Sequence, residues 1–443
     1  MDTWRPMQPK PDAPYHLTAS AAARRIAAGE LTSEELVRSC LDQIKLREPD
    51  VQAWSHLDSQ HALRAARCCD ATTPLSPLHG IPFAVKDVID VFDMPTGMGS
   101  PIYEGYRPRA DAACVATLRA VGAVILGKTV TAEFAGVSPG PTTNPLAPTH
   151  TPGGSSSGSA AAVAAKMVPI AFGTQTGGSI LRPASFCGIV GFKPSFGMVN
   201  RTGLKLAAEG LDTIGLMARD IDDIVLFFGA LVGRGFAPIA QRETPPRLAL
   251  FRGHHWHRAT ADTVAAVEGT ARRLEGEGAI IDDLPLPDGF AELNHARIVI
   301  NGYERARALA WEWAHHAERI SARLSQTLAQ GWSFSYENYL AAIRVAEHWR
   351  CWFADVMERG SYDGVITAAV NGEAPEGLAS TGDASFQEIW TLLHVPTITL
   401  PLSAGGSLPI GVQFVGRRLA DEALLGLAKW VMQRSAPVPA SLG

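Results

Sequence analysis

Pro152-Gly-Gly-Ser-Ser-Ser-Gly-Ser159 and Thr174-Gln-Thr-Gly-Gly-Ser-Ile180 decide how this chain is read. In each, a glycine pair (Gly153–Gly154 and Gly177–Gly178) runs straight into a serine, Ser155 in the first and Ser179 in the second. Glycine permits backbone conformations closed to other residues and lets the chain approach a ligand closely. A hydroxyl after such a pair can sit beside several free N–H groups, which is what stabilising an oxyanion requires. Upstream, Gly80-Ile-Pro-Phe-Ala-Val-Lys-Asp87 carries an apolar run into Lys86. Burial there penalises the ammonium, lowers its pKa and makes a neutral amine available as a base. A serine nucleophile, a serine relay and a lysine base together point to acyl transfer.

Around these motifs strands and helices alternate. Ile81–Val85 is a short, partly β-branched run that places Lys86 at a strand end. Residues 160–166 predict a helix, and Val168-Pro-Ile-Ala-Phe172 a buried strand leading into the second glycine pair. Residues 111–121 read as an amphipathic helix, followed by a strand at 123–126. Nearer the start, 17–30 is alanine-rich and helical, and Thr32-Ser-Glu-Glu35 is a capping box opening a helix toward Cys40. Residues 233–246 form a proline-bearing loop, and a strand begins at Arg247. Helices follow at about 259–276, 290–329 and 335–358, strands return near 364–368, 397–400 and 410–415, and a helix closes the chain from Asp421. The pattern predicts one α/β domain over 1–443. Its catalytic core lies at about 60–232, a helical cap insertion at about 252–360, and returning strands with a closing helix at about 361–434.

With 443 residues, 46% of them hydrophobic and 19% charged, the chain can bury a large core. A net charge of −5 gives no electrostatic case for a nucleic-acid partner. Met1–His16 is polar and proline-rich with no apolar signal core, and nothing approaches the about 18 consecutive apolar residues of a spanning helix. The expectation is a cytoplasmic protein with no membrane partner. Cys40, Cys68, Cys69, Cys114, Cys187 and Cys351 show no C-x-x-C spacing and read as reduced thiols. Cys187 lies close enough after Ser179 to help wall the site, but it has no local base to make it a nucleophile.

Three other patterns compete. Gly122-Ala-Val-Ile-Leu-Gly-Lys-Thr129 matches the phosphate-binding loop letter for letter, yet Ala-Val-Ile-Leu is a strand sequence and cannot curl around phosphate. Lys128 is expected instead in a structural pair, with Glu133 as its partner. Gly154-Ser-Ser-Ser-Gly158 matches the hydrolase nucleophile elbow with Ser156 as nucleophile, but Pro145–Pro152 is loop chemistry where an elbow needs a strand. His254, His255 and His257 lack a further ligand at helical spacing, so they read as a surface or core-edge cluster and no metal is called for. Trp311, Trp313, Trp332, Trp349 and Trp352 suggest packing ahead of an aromatic pocket.

The combined motifs resemble the amidase signature family of serine amidohydrolases, and its malonamidase-like group in particular. The likeness runs from the helical start to Leu408-Pro-Ile-Gly-Val-Gln413, and is most specific from Pro152 through Pro194. It implies a large mixed β-sheet sandwiched between helices. It implies a triad of Lys86, a cis-peptide Ser155 and the nucleophile Ser179, because the family's spacing selects Ser155 over Ser156 and Ser157. The backbone N–H groups of Thr176, Gly177, Gly178 and Ser179 would form the oxyanion hole. No cofactor is implied, the substrate is a small amide such as malonamate, and a homodimer is expected. Many relatives carry an acid where this chain has Gln175, an arginine where it has Leu181, and a glycine where it has His394. Joint loss of acid and base suggests a lost ion pair, and His394 changes the local pocket shape. Arg182 is left with two readings, a replacement for that ion pair or a fork for a substrate carboxylate, and Ser156 is a further substrate-contact candidate. Alternatives from other classes are the amidase component of a tRNA-dependent amidotransferase, a Ser-His-Asp esterase and a non-catalytic binding protein.

Overall fold

Eleven strands make one mixed sheet. In chain order they are β1 (Trp54–Leu57), β2 (Pro82–Lys86), β3 (Val124–Thr129), β4 (Ile170–Gln175), β5 (Val190–Lys193), β6 (Thr213–Ala218), β7 (Arg247–Leu250), β8 (Ile280–Asp283), β9 (Gly364–Ala368), β10 (Thr397–Ala404) and β11 (Pro409–Val415). Their spatial order is β1-β3-β2-β4-β6-β5-β10-β11-β9-β7-β8. A computed structural model describes residues 12–404, 406 and 408–435, so most of the Met1–His16 stretch lies outside the described residues.

Parallel pairing of β2 with β3 and with β4 puts three strand ends side by side. From β4 the pairing turns antiparallel through β6, β5, β10, β11 and β9, and becomes parallel again between β9, β7 and β8. Strands β2, β3 and β4 are buried at every residue, so both faces of the sheet are covered there. One large apolar cluster fills that region, with Phe83, Phe172 and Phe227 meeting edge-on.

The capping box is present: Thr32 accepts from Glu35 N, and Glu35 accepts from Thr32 N at 2.8 Å, opening the helix Ser33–Val51. The phosphate-loop look-alike is ordinary strand, since β3 runs straight through Gly127, Lys128 and Thr129. The expected 290–329 helix is three pieces, Glu292–Ala308, Ala310–His316 and Ala322–Ser333. The insertion also holds a strand: β8 pairs with β7 at its edge of the sheet. A second apolar cluster gathers Phe251, Phe290, Trp349, Phe353 and Trp390, which seats Glu292–Ala308 and Tyr336–Arg359 against the β7–β9 side. Trp349 is therefore packing, while Trp311 and Trp332 are exposed.

Candidate active site

Lys86 is the last residue of β2 and is fully buried. Its Nζ donates to Ser155 Oγ at 2.7 Å and to Thr174 Oγ1 at 2.8 Å, so side chains from β2, the first serine loop and β4 meet at one point. Burial holds the Lys86 amine well below the ordinary lysine pKa. Arg305 and Arg182 push the same way, and buried Asp212 opposes. The neighbouring Asp87 is no partner of Lys86. It pairs with Lys128 Nζ at 2.9 Å, and Lys128 also donates to Thr96 Oγ1 at 2.8 Å. The expected Lys128–Glu133 pair is thus replaced by Lys128–Asp87, because β3 aims Lys128 toward the β2 end while Glu133 accepts from Ser321 N at 3.1 Å.

The Gly154–Ser155 peptide is cis. Gly153 has φ +82°, and a Cβ there would stand 2.8 Å from Pro183 Cα, so this turn admits glycine alone. Ser155 O accepts from Ala132 N at 3.0 Å, tying the loop to the segment after β3.

Ser179 follows β4 through Thr176, Gly177 and Gly178, and all four line a cleft of about 430 Å³. Among the described residues, the N–H groups of Gly177, Gly178 and Ser179 donate no hydrogen bond, and none links Ser155 to Ser179. Thr176 Oγ1 donates to Asp212 Oδ1, and Ala208 N donates to the other Asp212 oxygen at 3.1 Å. Across the cleft stands the helix Glu292–Ala308. Arg297, Asn301 and Arg305, each four residues after the last, line it.

Free N–H groups beside a serine hydroxyl, with a buried amine bonded to a second serine, are the furniture of amide chemistry, and the sequence comparison agrees: residues 35–425 match the family described as Amidase. The chain belongs to the amidase family. It is similar to one component of the glutamyl-tRNA(Gln) amidotransferase of Chloroflexus aurantiacus, 32% identical over 481 aligned residues and covering 95% of this chain and 98% of that one. A solved structure described as an amidase matches with TM-score 0.87 and 27% identity over 95% of this chain and 100% of that one. The native peptide amidase of Stenotrophomonas maltophilia matches with TM-score 0.81 and 27% identity over 96% and 98%. The protein is therefore an enzyme of amide hydrolysis or amide transfer, built on the large mixed sheet that the resemblance implied. These likenesses reach the family and stop short of its malonamidase-like group.

In this amidase Gln175 does the capping that an acid at its position would do. Its Oε1 accepts from Ile180 N at 3.0 Å and Leu181 N at 3.2 Å, and its Nε2 donates to Thr391 Oγ1 at 3.0 Å. Leu181 is buried where an arginine would need a counter-charge. Arg182 does not restore an ion pair. Its Nη2 donates to Gly154 O at 2.6 Å and Thr381 Oγ1 at 3.2 Å, bracing the residue before Ser155, while its buried Nε has no acceptor. Ser156 is fully buried and bridges the Thr174 backbone, accepting from N and donating to O at 3.2 Å each, so its hydroxyl is used up in the scaffold.

His394 stands apart from the cleft lining. It takes φ +63°, stacks on Phe196 at 4.1 Å, and sets Nε2 2.8 Å from Gly210 O. Burial, with Arg350 beside it, pushes its pKa down to about 3, so it adds no titration near neutrality. Cys187 Sγ donates to Pro152 O and is buried behind the loop. His255 Nε2 lies 3.1 Å from Asn294 Oδ1, and His257 Nδ1 3.2 Å from His254 O, which makes the histidine cluster a local hydrogen-bonded knot. Among the described residues no helix is long and apolar enough to cross a membrane.

Thr174, Asp212, Thr381 and the Arg297–Asn301–Arg305 face are the parts that motif reading missed. The i, i+4, i+8 spacing of the last three was visible in the sequence. Nothing local joins Asp212 to Thr176 or Thr381 to Arg182.

Proposed function

We propose that this amidase hydrolyses a small carboxylic amide through an acyl-enzyme on Ser179, with Ser155 as relay and Lys86 as base, and that the whole chain works as one amidase domain. The observation that carries the reading is the buried Lys86 Nζ at 2.7 Å from Ser155 Oγ, with burial favouring its neutral form. Once neutral, the Lys86 amine has a lone pair that can take a proton across the 2.7 Å contact with Ser155 Oγ while an N–H stays bonded to Thr174. Lys86 takes the Ser155 proton, Ser155 takes that of Ser179, and the Ser179 oxygen attacks the amide carbonyl. Unpaired N–H groups of the Thr176–Ser179 turn receive the oxyanion, each worth roughly 3–4 kcal/mol by analogy with known donors. The proton then returns along the relay to the leaving nitrogen, and water repeats the sequence to release the acid. Substrate binding closes the Ser155–Ser179 link, as catalytic hydrogen bonds commonly tighten only in the complex.

The test is Ser179→Ala. Turnover of short amides should fall by at least about 1,000-fold with the thermal transition unchanged. A fluorophosphonate probe should label Ser179 in the parent chain and leave the variant unmarked. Near-native turnover, or a trapped acyl group on Ser156, overturns the reading.

A second reading has one observation in its favour: the likeness to a component of the glutamyl-tRNA(Gln) amidotransferase over nearly the full length of both chains. In that role this chain would release ammonia for a partner. Hydrolysis of small amides by the purified chain, at rates that no partner raises, excludes it.

A further inference from the structure

The cleft is lined by three arginines and is not neutral. Arg297 Nη2 pairs with Glu388 Oε1 at 2.6 Å, and that nitrogen stands 3.0 Å from where a Cβ on Gly177 would be. The pair therefore lies over the glycine turn, where any side chain at position 177 would collide with it. Asp383, the other acid of the lining, is paired with Arg258 at 2.7 Å. Arg182 is engaged with Gly154 and Thr381.

Arg305 is different. It is buried, no carboxylate lies in contact with it among the described residues, and its guanidinium makes one long hydrogen bond, to Phe134 O at 3.3 Å. One helical turn before it, Asn301 lines the same cleft with its Oδ1 buried and unpartnered. Buried polar groups in folded proteins are nearly always paired, and a buried charge is costly without a partner. A guanidinium fork kept open in a cleft is suited to a planar carboxylate.

We propose that Arg305 and Asn301 form the anion subsite of the cleft and select amides that also carry a free carboxylate. The proposal rests on the amidase reading above. It moves the specificity role from Arg182, which becomes a positioning residue for the Gly154–Ser155 turn. Arg305 takes the carboxylate through its free N–H edges. Asn301, its amide turned to present Nδ2, donates to the same group. Arg297 is held out of this duty by Glu388.

The experiment compares malonamate and succinamate with their neutral diamides in the parent chain, Arg305→Met, Arg305→Lys, Asn301→Ala and Arg182→Lys. Arg305→Met should lose about 10- to 100-fold in kcat/KM for the acidic amides, mostly through KM, and under threefold for the diamides. Arg305→Lys should recover part of that loss, and Asn301→Ala should show a smaller loss of the same selectivity. Calorimetry with malonate and succinate is run alongside and needs no turnover. Binding to the parent chain that vanishes in Arg305→Met supports the subsite even if no amide tested is hydrolysed. That result would separate failure of the amidase reading from failure of this one. Equal losses on acidic and neutral amides overturn the proposal. So does anion binding that survives Arg305→Met but is lost in Arg182→Lys. If Arg305→Met does not fold, Arg305→Lys and Asn301→Ala decide, and unchanged selectivity in both is a refutation.

Discussion

The two walls of the cleft obey opposite rules. On the sheet side the side chains that hold Lys86 are themselves partnered, and the free N–H groups of Gly177–Ser179 are the exception that the proposed chemistry uses. Lys86 is held by Ser155 and Thr174, Ser156 by the Thr174 backbone, and Gln175 by Ile180, Leu181 and Thr391. On the side of the helical insertion, Arg305 holds one long bond and Asn301 Oδ1 none. A wall whose side chains are already held has little left to reorganise, which is what preorganised catalysis demands. An unsaturated wall is completed by what binds. On the proposed reading the difference separates chemistry from selection: the strand ends would carry the reaction, and the helix would choose the substrate.

The harshest test of this division is Lys86→Ala. It removes the base from the saturated wall, and amide hydrolysis should drop by about 10³- to 10⁴-fold. Activated esters, whose leaving groups need no proton, should lose less than about 100-fold. Steady-state rates on matched amide and p-nitrophenyl ester substrates give the two numbers. Equal losses would make Lys86 a structural residue and erase the contrast between the walls.

Lys86, Ser155 and the glycine turn were legible in the sequence, because they lie in short contiguous motifs whose residue types are tied to backbone shape, while Thr174, Asp212 and Thr381 were not. Gly153 needs φ +82° beside Pro183, and an apolar strand ending in lysine buries that lysine. The partners came out less well. Lys128 was expected to pair with Glu133, and the parallel register of β2 and β3 gives it Asp87 instead. The unsaturated wall stayed hidden for a physical reason. Glu292–Ala308 is seated by a separate apolar cluster, and which of its faces meets the glycine turn follows from packing far away in sequence. Its 297–301–305 stripe reads as an ordinary polar helix face until the cleft is seen. Arg182 and Ser156 were drawn to the substrate by proximity along the chain, whereas Arg182 bonds back to the loop at Gly154 and Ser156 to the β4 backbone at Thr174.

Saturation can also serve stability alone, and the Lys128–Asp87 pair is the control. Lys128→Met leaves a buried carboxylate without its cation, which should cost about 3–5 kcal/mol. Urea unfolding should show that loss. The folded variant should keep the parent kcat/KM on short amides, since neither partner touches the relay. A loss of activity larger than the loss of folded protein would mean that the pair acts on Lys86 through the shared strand end.

The smallest effect is the most discriminating, because its sign is fixed in advance. An acceptor facing Nζ favours the protonated amine, so Thr174 Oγ1 works against the burial that depresses the Lys86 pKa. Thr174→Val keeps the shape and removes that acceptor. The Lys86 pKa should fall further, and the acidic limb of kcat/KM should move to lower pH by about one unit or less, since one unit corresponds to 1.36 kcal/mol. Arg305→Met acts on the same amine from the opposite wall. The charges facing Lys86 are Asp212, which raises its pKa, and Arg305 and Arg182, which lower it. Deleting the Arg305 charge should therefore move the acidic limb upward on a neutral diamide. Opposite shifts from the two variants would tie the limb to Lys86 and show that the walls communicate only through charge. If both limbs stay fixed, the group that titrates is not Lys86, and the base must be sought elsewhere.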